Sequence, residues 1–281
     1  MRDKYHQALN NRGVALIIVL LVTALLIALI FEFAYGTRVS LRAAVNFRDS
    51  QRAYFLARSG LGFFAKYPEL RDIIPQRECQ PLPFVSEGDR QLTLCWEDEG
   101  GKIDMSRVIQ TDLIMFPRQT NLFDIRGVNQ NILNQISAWM TDNHRSRFHL
   151  LSELHQFMSD EEFGKVQDAL TMSQTTQINV NTASEDVLKS VFRGFQSSGP
   201  QYSDAAAESL AKRRTAEAFD SAALTAYLTT NGLSNLTSAV TTSSSDYRVN
   251  LFATVGGYTR HIEAIIKLSG SAYTVNYWRE L

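Results

Sequence analysis

The sequence of 281 residues is poor in cysteine and proline, and neither charge is in surplus. Its two cysteines, Cys79 and Cys95, lack a Cys-x-x-Cys spacing and are too few for a structural zinc site. The 28 basic and 29 acidic residues give a formal net charge of -1, which argues against nucleic-acid binding by bulk electrostatics. No phosphate-binding glycine loop, nucleophile elbow or zinc motif is present. The sequence therefore offers no candidate catalytic residue and indicates a non-enzymatic protein.

One long apolar run lies near the N-terminus. Residues 14–31 contain a single polar side chain, Thr23, and follow a short polar leader at residues 1–13. As a helix, this run would span roughly 27 Å, close to the ~30 Å hydrocarbon core of a bilayer. No proline occurs in residues 14–67, so one helix of about 80 Å can extend past the membrane before Pro68 ends it.

Three interpretations of this N-terminal segment are open: a cleaved secretory signal, a plain signal anchor and a prepilin-type leader. A secretory signal would be cut near residues 34–36, but its apolar core is normally about 7–15 residues, and Glu32 interrupts the approach to that site. A plain anchor is compatible with the run, and basic residues on both sides leave its orientation open. The third interpretation explains one more detail, because Gly13 directly precedes the apolar Val14.

The rest of the chain alternates between strand and helix patterns. Residues 92–96 alternate as a short strand and lead into an acidic, glycine-rich turn. Residues 129–240 are mainly helical in pattern, and the remainder gives three strands separated by glycine turns. The sequence thus predicts a leader (1–13), a transmembrane and spine helix (14–67, with 14–31 in the membrane), the first part of a sheet (68–104), a helical insertion of two subdomains (105–240, the second from about 178) and C-terminal antiparallel strands (241–281).

Several short segments resemble known secretion components. The junction Asn-Arg-Gly13 followed by Val14-Ala-Leu-Ile-Ile resembles the processing site of type IV prepilins and type II secretion pseudopilins. That resemblance implies cleavage after Gly13 by prepilin peptidase and N-methylation of Val14. Most such subunits carry Glu at the fifth mature position, whereas this chain has the non-acidic Ile18. The lack of Glu at this position narrows the resemblance to the minor pseudopilin of the K class, the general secretion pathway protein K family. Residues 148–154 and the Ile-Asn-Val-Asn-Thr-Ala segment at 178–183 also resemble that family.

The resemblance implies both a fold and a function. The implied fold is α+β: a pilin-like long N-terminal helix packs on a small antiparallel sheet that carries a large all-α insertion, SAM-like or helix-hairpin-helix-like. The implied function is a pseudopilus tip that helps initiate assembly and export across the outer membrane. Expected partners are minor pseudopilins of the I and J classes, prepilin peptidase, the inner-membrane secretion platform and secreted protein cargo. The chain would span the inner membrane once, with its globular domain in the periplasm.

Two alternatives accompany this interpretation. A minor pilin of a type IV pilus would share the leader and the spine helix. A membrane-anchored DNA-uptake receptor is a different class of answer, because Asn-Thr-Ala openings also occur in helix-hairpin-helix proteins. Against it, no Gly-x-Gly turn follows this segment, and residues 178–232 carry five positive and six negative charges. We therefore expect no nucleic-acid partner. Within the same segment, we expect Asn181 or Thr182 to cap the following helix.

Two further predictions concern the soluble part. In an oxidising compartment such as the periplasm, Cys79 and Cys95 can form a disulfide, and the alternative is two free thiols. Some K-class proteins are described as calcium-binding, and the acidic turn supplies four weak calcium candidates, namely Glu97, Asp98, Glu99 and Asp104. Their spacing matches no recognised calcium loop, so a solvated acidic turn is the simpler interpretation. We assign no metal site and expect no cofactor.

Overall fold

The computed structural model describes residues 3–82, 85, 88–270 and 272–281. Helix α1 (Asp3–Lys66) is continuous over 64 residues, about 96 Å at 1.5 Å per residue. It begins within the leader, earlier than the predicted start at residue 14, because extending a formed helix costs far less than nucleating one. A short helix α2 (Glu69–Ile73) follows Pro68, which is its N-cap residue.

Five antiparallel strands form the sheet. In their order across the sheet, they are β1 (Cys79–Pro81), β2 (Arg90–Asp98), β7 (Asp246–Val255), β8 (Tyr258–Ser269) and β9 (Ala272–Glu280). Gly256 and Gly257 make the β7–β8 turn with φ values of 57° and 84°, which only glycine adopts without strain. Sequence alternation and the Gly-Gly pair therefore predict this hairpin correctly.

The second half of α1 packs on one face of this sheet. Ala57, Leu61 and Phe64 fall on one face of the helix at i, i+4 and i+7, where they are buried and contact the inward-facing residues of the central strands. Those strand residues are Leu92, Leu94, Trp96, Val249, Leu251, Ala253, Ile262, Ala264 and Ile266. Gly60 permits the close approach, since a Cβ there would lie 2.8 Å from Leu251 Cδ2. Helix and sheet thus form one apolar core.

An insertion that makes up about half of the chain lies between β2 and β7. Its helices are α3 Met115–Ile125, α4 Asn131–Asp142, α5 Asp160–Val166, α6 Glu185–Arg193, α7 Asp204–Ala216 and α8 Ser221–Thr230. Two short parallel strand pairs stitch it together: β3 (Ile103–Asp104) with β4 (Leu170–Thr171), and β5 (Ile178–Asn179) with β6 (Val240–Thr241). The insertion has its own apolar core, separate from that of the spine and sheet.

Candidate functional sites

The first candidate site is the free half of α1, residues 13–48, which precedes the part of the helix that packs on the sheet. Gly13, Val14 and Ile18 lie on this helix, with Val14 54% and Ile18 57% exposed. Apart from its chain neighbours and the backbone of its own helix, a Cβ added to Gly13 would meet no atom of the described residues within 4 Å. Within the part of the chain that the structure describes, α1 is the one helix long and apolar enough to cross a membrane, judged by length and composition. So large an exposed apolar surface is typical of a membrane or subunit-packing surface.

The second candidate site is the acidic turn, and its predicted solvation is wrong. Asp98, Glu99 and Asp104 are 1%, 0% and 7% exposed. Asp98 is the N-cap of a 3-10 helix at residues 99–101, and its Oδ1 accepts a hydrogen bond from the Gly100 amide at 2.7 Å. The turn is buried because the helical insertion folds back over it, and sequence-local patterns do not reveal that packing.

One cation from the same turn and one from the distant strand β7 neutralise the buried Glu99. Its Oε1 lies 2.9 Å from both Lys102 Nζ and Arg248 Nε, and its Oε2 accepts a hydrogen bond from the Thr171 hydroxyl. Burial alone would raise the pKa of the Glu99 carboxyl, but the charges of Lys102 and Arg248 outweigh it and hold that pKa below its ordinary value. Glu99 therefore remains ionised in the interior.

This ionic cluster joins the sheet to the insertion. Arg248, on the outer face of β7, also binds Glu263 of β8, with 2.5 Å between Nη1 and Oε1. Glu97 Oε2 lies 2.7 Å from Lys102 Nζ, and Glu97 Oε1 lies 2.6 Å from Arg77. Sequence alternation places Arg248 on the polar side of its strand, but no local signal identifies its buried partner 149 residues away.

A second set of polar contacts clamps residues 178–183 to the acidic turn. Asp98 Oδ2 accepts hydrogen bonds from Asn179 Nδ2 at 2.7 Å and from Thr182 Oγ1 at 2.6 Å. Gly101 permits this approach, since a Cβ there would lie 2.9 Å from the Ala183 backbone nitrogen. This segment therefore anchors the second half of the insertion onto the turn.

The helix cap in this segment is Ser184, so the prediction of Asn181 or Thr182 is wrong. Ser184 Oγ accepts a hydrogen bond from the Val187 amide at 3.3 Å, and α6 begins at Glu185. Asn181 instead donates from Nδ2 to the Phe219 carbonyl at 2.8 Å and accepts from the Phe219 amide at 2.9 Å. A serine three residues past Asn181 is an equally good capping signal, and tertiary contacts select it.

The four weak calcium candidates bond to protein donors. Asp104 accepts hydrogen bonds from the Ser106 amide and hydroxyl at 2.9 and 2.8 Å. Desolvation by burial raises the pKa of the Asp104 carboxyl, although the hydrogen bonds from Ser106 oppose the shift. Among the described residues, no group of three or more His, Cys, Asp and Glu side chains is arranged to hold a metal ion. Their geometry supports a structural role.

The two cysteines lie opposite each other on β1 and β2. Cys79 pairs with Cys95 in the strand register, and a disulfide joins them. The bond closes a loop with a sequence separation of 16 and ties the edge strand β1 to the sheet.

Basic residues near residues 178–183 are mostly engaged within the chain. Lys189 Nζ lies 2.7 Å from carboxylate oxygens of both Glu185 and Glu208. Arg193 Nη2 lies 2.7 Å from Asp204 Oδ2. Arg214 donates to the Val180 carbonyl, and burial lowers its pKa. Groups held this way are poor candidates for phosphate contacts with a nucleic acid.

Comparison with known proteins gives a match among solved structures. No family model matches the chain, and no curated protein matches it. The chain is similar to a chain in the crystal structure of the GspK-GspI-GspJ complex from the enterotoxigenic Escherichia coli Type 2 Secretion System. The TM-score is 0.52 at 14% sequence identity, and the match covers 87% of this chain and 99% of that chain. At this identity the likeness concerns the fold, and it confirms the predicted α+β, pilin-like architecture.

Proposed function

We propose that this chain is a minor pseudopilin of the K class, a non-enzymatic component that forms the tip of the type II secretion pseudopilus. The observation that carries the proposal is the shared fold: the match covers 99% of a chain from the GspK-GspI-GspJ complex. The chain would assemble with minor pseudopilins of the I and J classes and help initiate export across the outer membrane. Its further partners would be the inner-membrane secretion platform and secreted cargo.

The free half of α1 supports an inner-membrane location with the globular head in the periplasm. Its exposed apolar surface suits lipid before assembly and neighbouring subunit helices afterwards. Prepilin peptidase would cut between Gly13 and Val14, and Val14 would then be N-methylated. The disulfide between Cys79 and Cys95 is consistent with an oxidising compartment such as the periplasm.

Two features favour the tip over a repeating position. Ile18 replaces the glutamate that most subunits of these filaments carry at the fifth mature position, so the chain lacks a carboxylate for its neighbour's N-terminal ammonium. A subunit that lacks this contact with one neighbour is suited to the end of a filament, where one neighbour is absent. The helical insertion of residues 99–245 also widens the head beyond the sheet and spine, which again suits a tip.

The test is complementation of a deletion strain, scored by secretion of type II substrates and co-purification with the I- and J-class pseudopilins. Wild-type chain should restore both. Gly13→Val should retain the leader and restore neither, because the β-branched side chain occupies the scissile position. Gly36→Val is the matched control, since Gly36 also lies on the free half of α1 and an added Cβ there would likewise meet no other described segment within 4 Å.

The two glycines separate the competing interpretations. Loss of processing with Gly36→Val but not with Gly13→Val would contradict the proposal and favour a secretory signal cut near residues 34–36. Loss of pilus-dependent motility with intact secretion would identify a minor pilin of a type IV pilus instead. Salt-sensitive binding of duplex DNA by the purified chain would favour the DNA-uptake receptor.

A further inference from the structure

The segment of α1 that follows the apolar run has a layered composition. Residues 14–31 are apolar, then the exposed aromatic rings of Phe33 and Tyr35 follow, and then the exposed Arg38 and Arg42. Aromatic side chains concentrate at the boundary between hydrocarbon and headgroups, and basic side chains in the headgroup layer. The order along α1 therefore follows the layers of a membrane interface.

The heights of the two arginines along the helix place them on the head side of the hydrocarbon layer. At 1.5 Å per residue, Arg38 lies about 10 Å and Arg42 about 16 Å beyond Phe31, and the head begins at Asp49, about 27 Å beyond it. Side chains on an α-helix lean toward its N-terminus, which here is the membrane end. Long arginine side chains thus reach back toward the headgroups.

Neither arginine has an ion-pair partner among the described residues. Farther along the helix, Arg48 binds Asp49, with 2.9 Å between Nε and Oδ1. The nearest carboxylate on the membrane side, Glu32, is six residues from Arg38 and therefore lies on a different face of the helix. Arg42 is seven residues, two turns, from the buried Asp49, so it lies on the side that carries the head. The two charges thus face the gap between the head and the bilayer.

We propose that Arg38 and Arg42 bind the phosphate groups of anionic phospholipids in the leaflet on the head side of the membrane. The proposal rests on the proposed membrane span and its orientation, and it is independent of the tip assignment. Guanidinium groups form bidentate hydrogen bonds with phosphate, and the low dielectric of the interface strengthens them. These contacts would fix the height of the head above the bilayer and would have to break when the subunit leaves the membrane.

The test uses the full chain reconstituted into phosphatidylcholine vesicles, with trace spin-labelled phosphatidylglycerol or spin-labelled phosphatidylcholine. Electron paramagnetic resonance measures the fraction of each probe immobilised by the protein. Wild-type chain should prefer phosphatidylglycerol, and the preference should weaken at high salt. Arg38→Gln with Arg42→Gln should reduce it about fivefold for each arginine, equivalent to about 1 kcal/mol each.

The matched control removes the same number of charges higher on the helix, as Arg52→Gln with Arg58→Gln, and should leave the preference unchanged. The proposal would be overturned if both double variants lost the preference for phosphatidylglycerol equally, or if Arg38→Gln with Arg42→Gln kept it. The proposal would also be overturned if Arg38→Gln with Arg42→Gln abolished co-purification with the I- and J-class pseudopilins and left the lipid preference intact. That result would show that the two arginines contact other subunits. If no probe is immobilised, the membrane span itself is refuted, whereas immobilisation without preference refutes only the arginine contacts.

Discussion

Substituting Arg248 by methionine removes the cation that links the sheet to the buried acidic turn. Glu99 is fully buried, and its remaining partners among the described residues would be Lys102 Nζ at 2.9 Å and the Thr171 hydroxyl. Removing one partner of a buried ion pair costs about 3–5 kcal/mol, because a charge is left uncompensated in the interior. Since Lys102 remains, we expect the lower end of that range, about 3 kcal/mol. Glu263 also loses its contact with Arg248 Nη1.

The assay is equilibrium urea unfolding of the full chain in mild detergent. Trp96 lies in the core of the sheet and Trp139 packs in the insertion, so tryptophan fluorescence reports on both parts of the head. At slopes of about 1–3 kcal/mol per molar urea, a loss of 3 kcal/mol lowers the midpoint by about 1–3 M. Arg77→Met is the control: Arg77 pairs with Glu97 but its side chain is 51% exposed, so less than about 1 kcal/mol is expected. An unchanged midpoint for Arg248→Met would refute the assigned role of the cluster.

The same cluster predicts a pH dependence. The pKa of the Glu99 carboxyl lies below its ordinary value near 4.5 in the folded state, since Lys102 and Arg248 outweigh the cost of burial. Its contribution is therefore complete above about pH 4.5 and is lost as the pH falls through the folded-state pKa. Wild-type chain should lose stability on acidification in this window, and Glu99→Gln should lose part of that dependence. Parallel pH profiles for the two chains would contradict the assignment.

Three further changes test other parts of the head by the same unfolding measurement. Gly101→Ala should destabilise it by about 1–3 kcal/mol, because the new Cβ meets the Ala183 backbone nitrogen. Gly62→Ala, whose new Cβ meets no other described segment, should instead stabilise α1 by about 0.5–1 kcal/mol. Equal effects of the two changes would refute the close packing of Gly101 on residues 178–183. Replacing Cys79 and Cys95 by serine should cost about 3 kcal/mol for a loop of this length, and an unchanged midpoint under oxidising conditions would contradict it. Burial raises the pKa of Asp246, whose Oδ1 has no hydrogen-bond partner among the described residues, so its contribution is present below its ordinary pKa and lost as the pH rises. Asp246→Asn should therefore stabilise the chain at pH 7 by about 1 kcal/mol, and destabilisation there would contradict the prediction.

The spine helix and the C-terminal strands could be predicted because their signals are local. The apolar run and the lack of proline define α1, and Ala57, Leu61 and Phe64 fall on its buried face at helical spacing. Alternation and the glycines at 256 and 257 define the β7–β8 hairpin. The start of α5 is also a local feature, because Ser159 and Glu162 form its capping box.

Other features could not be predicted, since they depend on contacts between distant segments. The local sequence of the acidic turn predicts solvent exposure, but Arg248 and residues 178–183 pack against the turn in the folded chain. Helix α3 (Met115–Ile125) carries a weak apolar pattern, because two of its buried positions are the polar Arg118 and Gln119. Residues 151–156, within the stretch whose pattern is mainly helical, form a 3-10 helix. In each case tertiary packing overrides the local preference.

Removal of the leader can be measured directly by mass spectrometry of the native N-terminus in cells with and without prepilin peptidase. We predict N-methylated Val14 as the first residue when the peptidase is present, and an N-terminus within the leader when it is absent. An intact leader in both strains, or a cut after Gly36, would contradict the proposed minor pseudopilin.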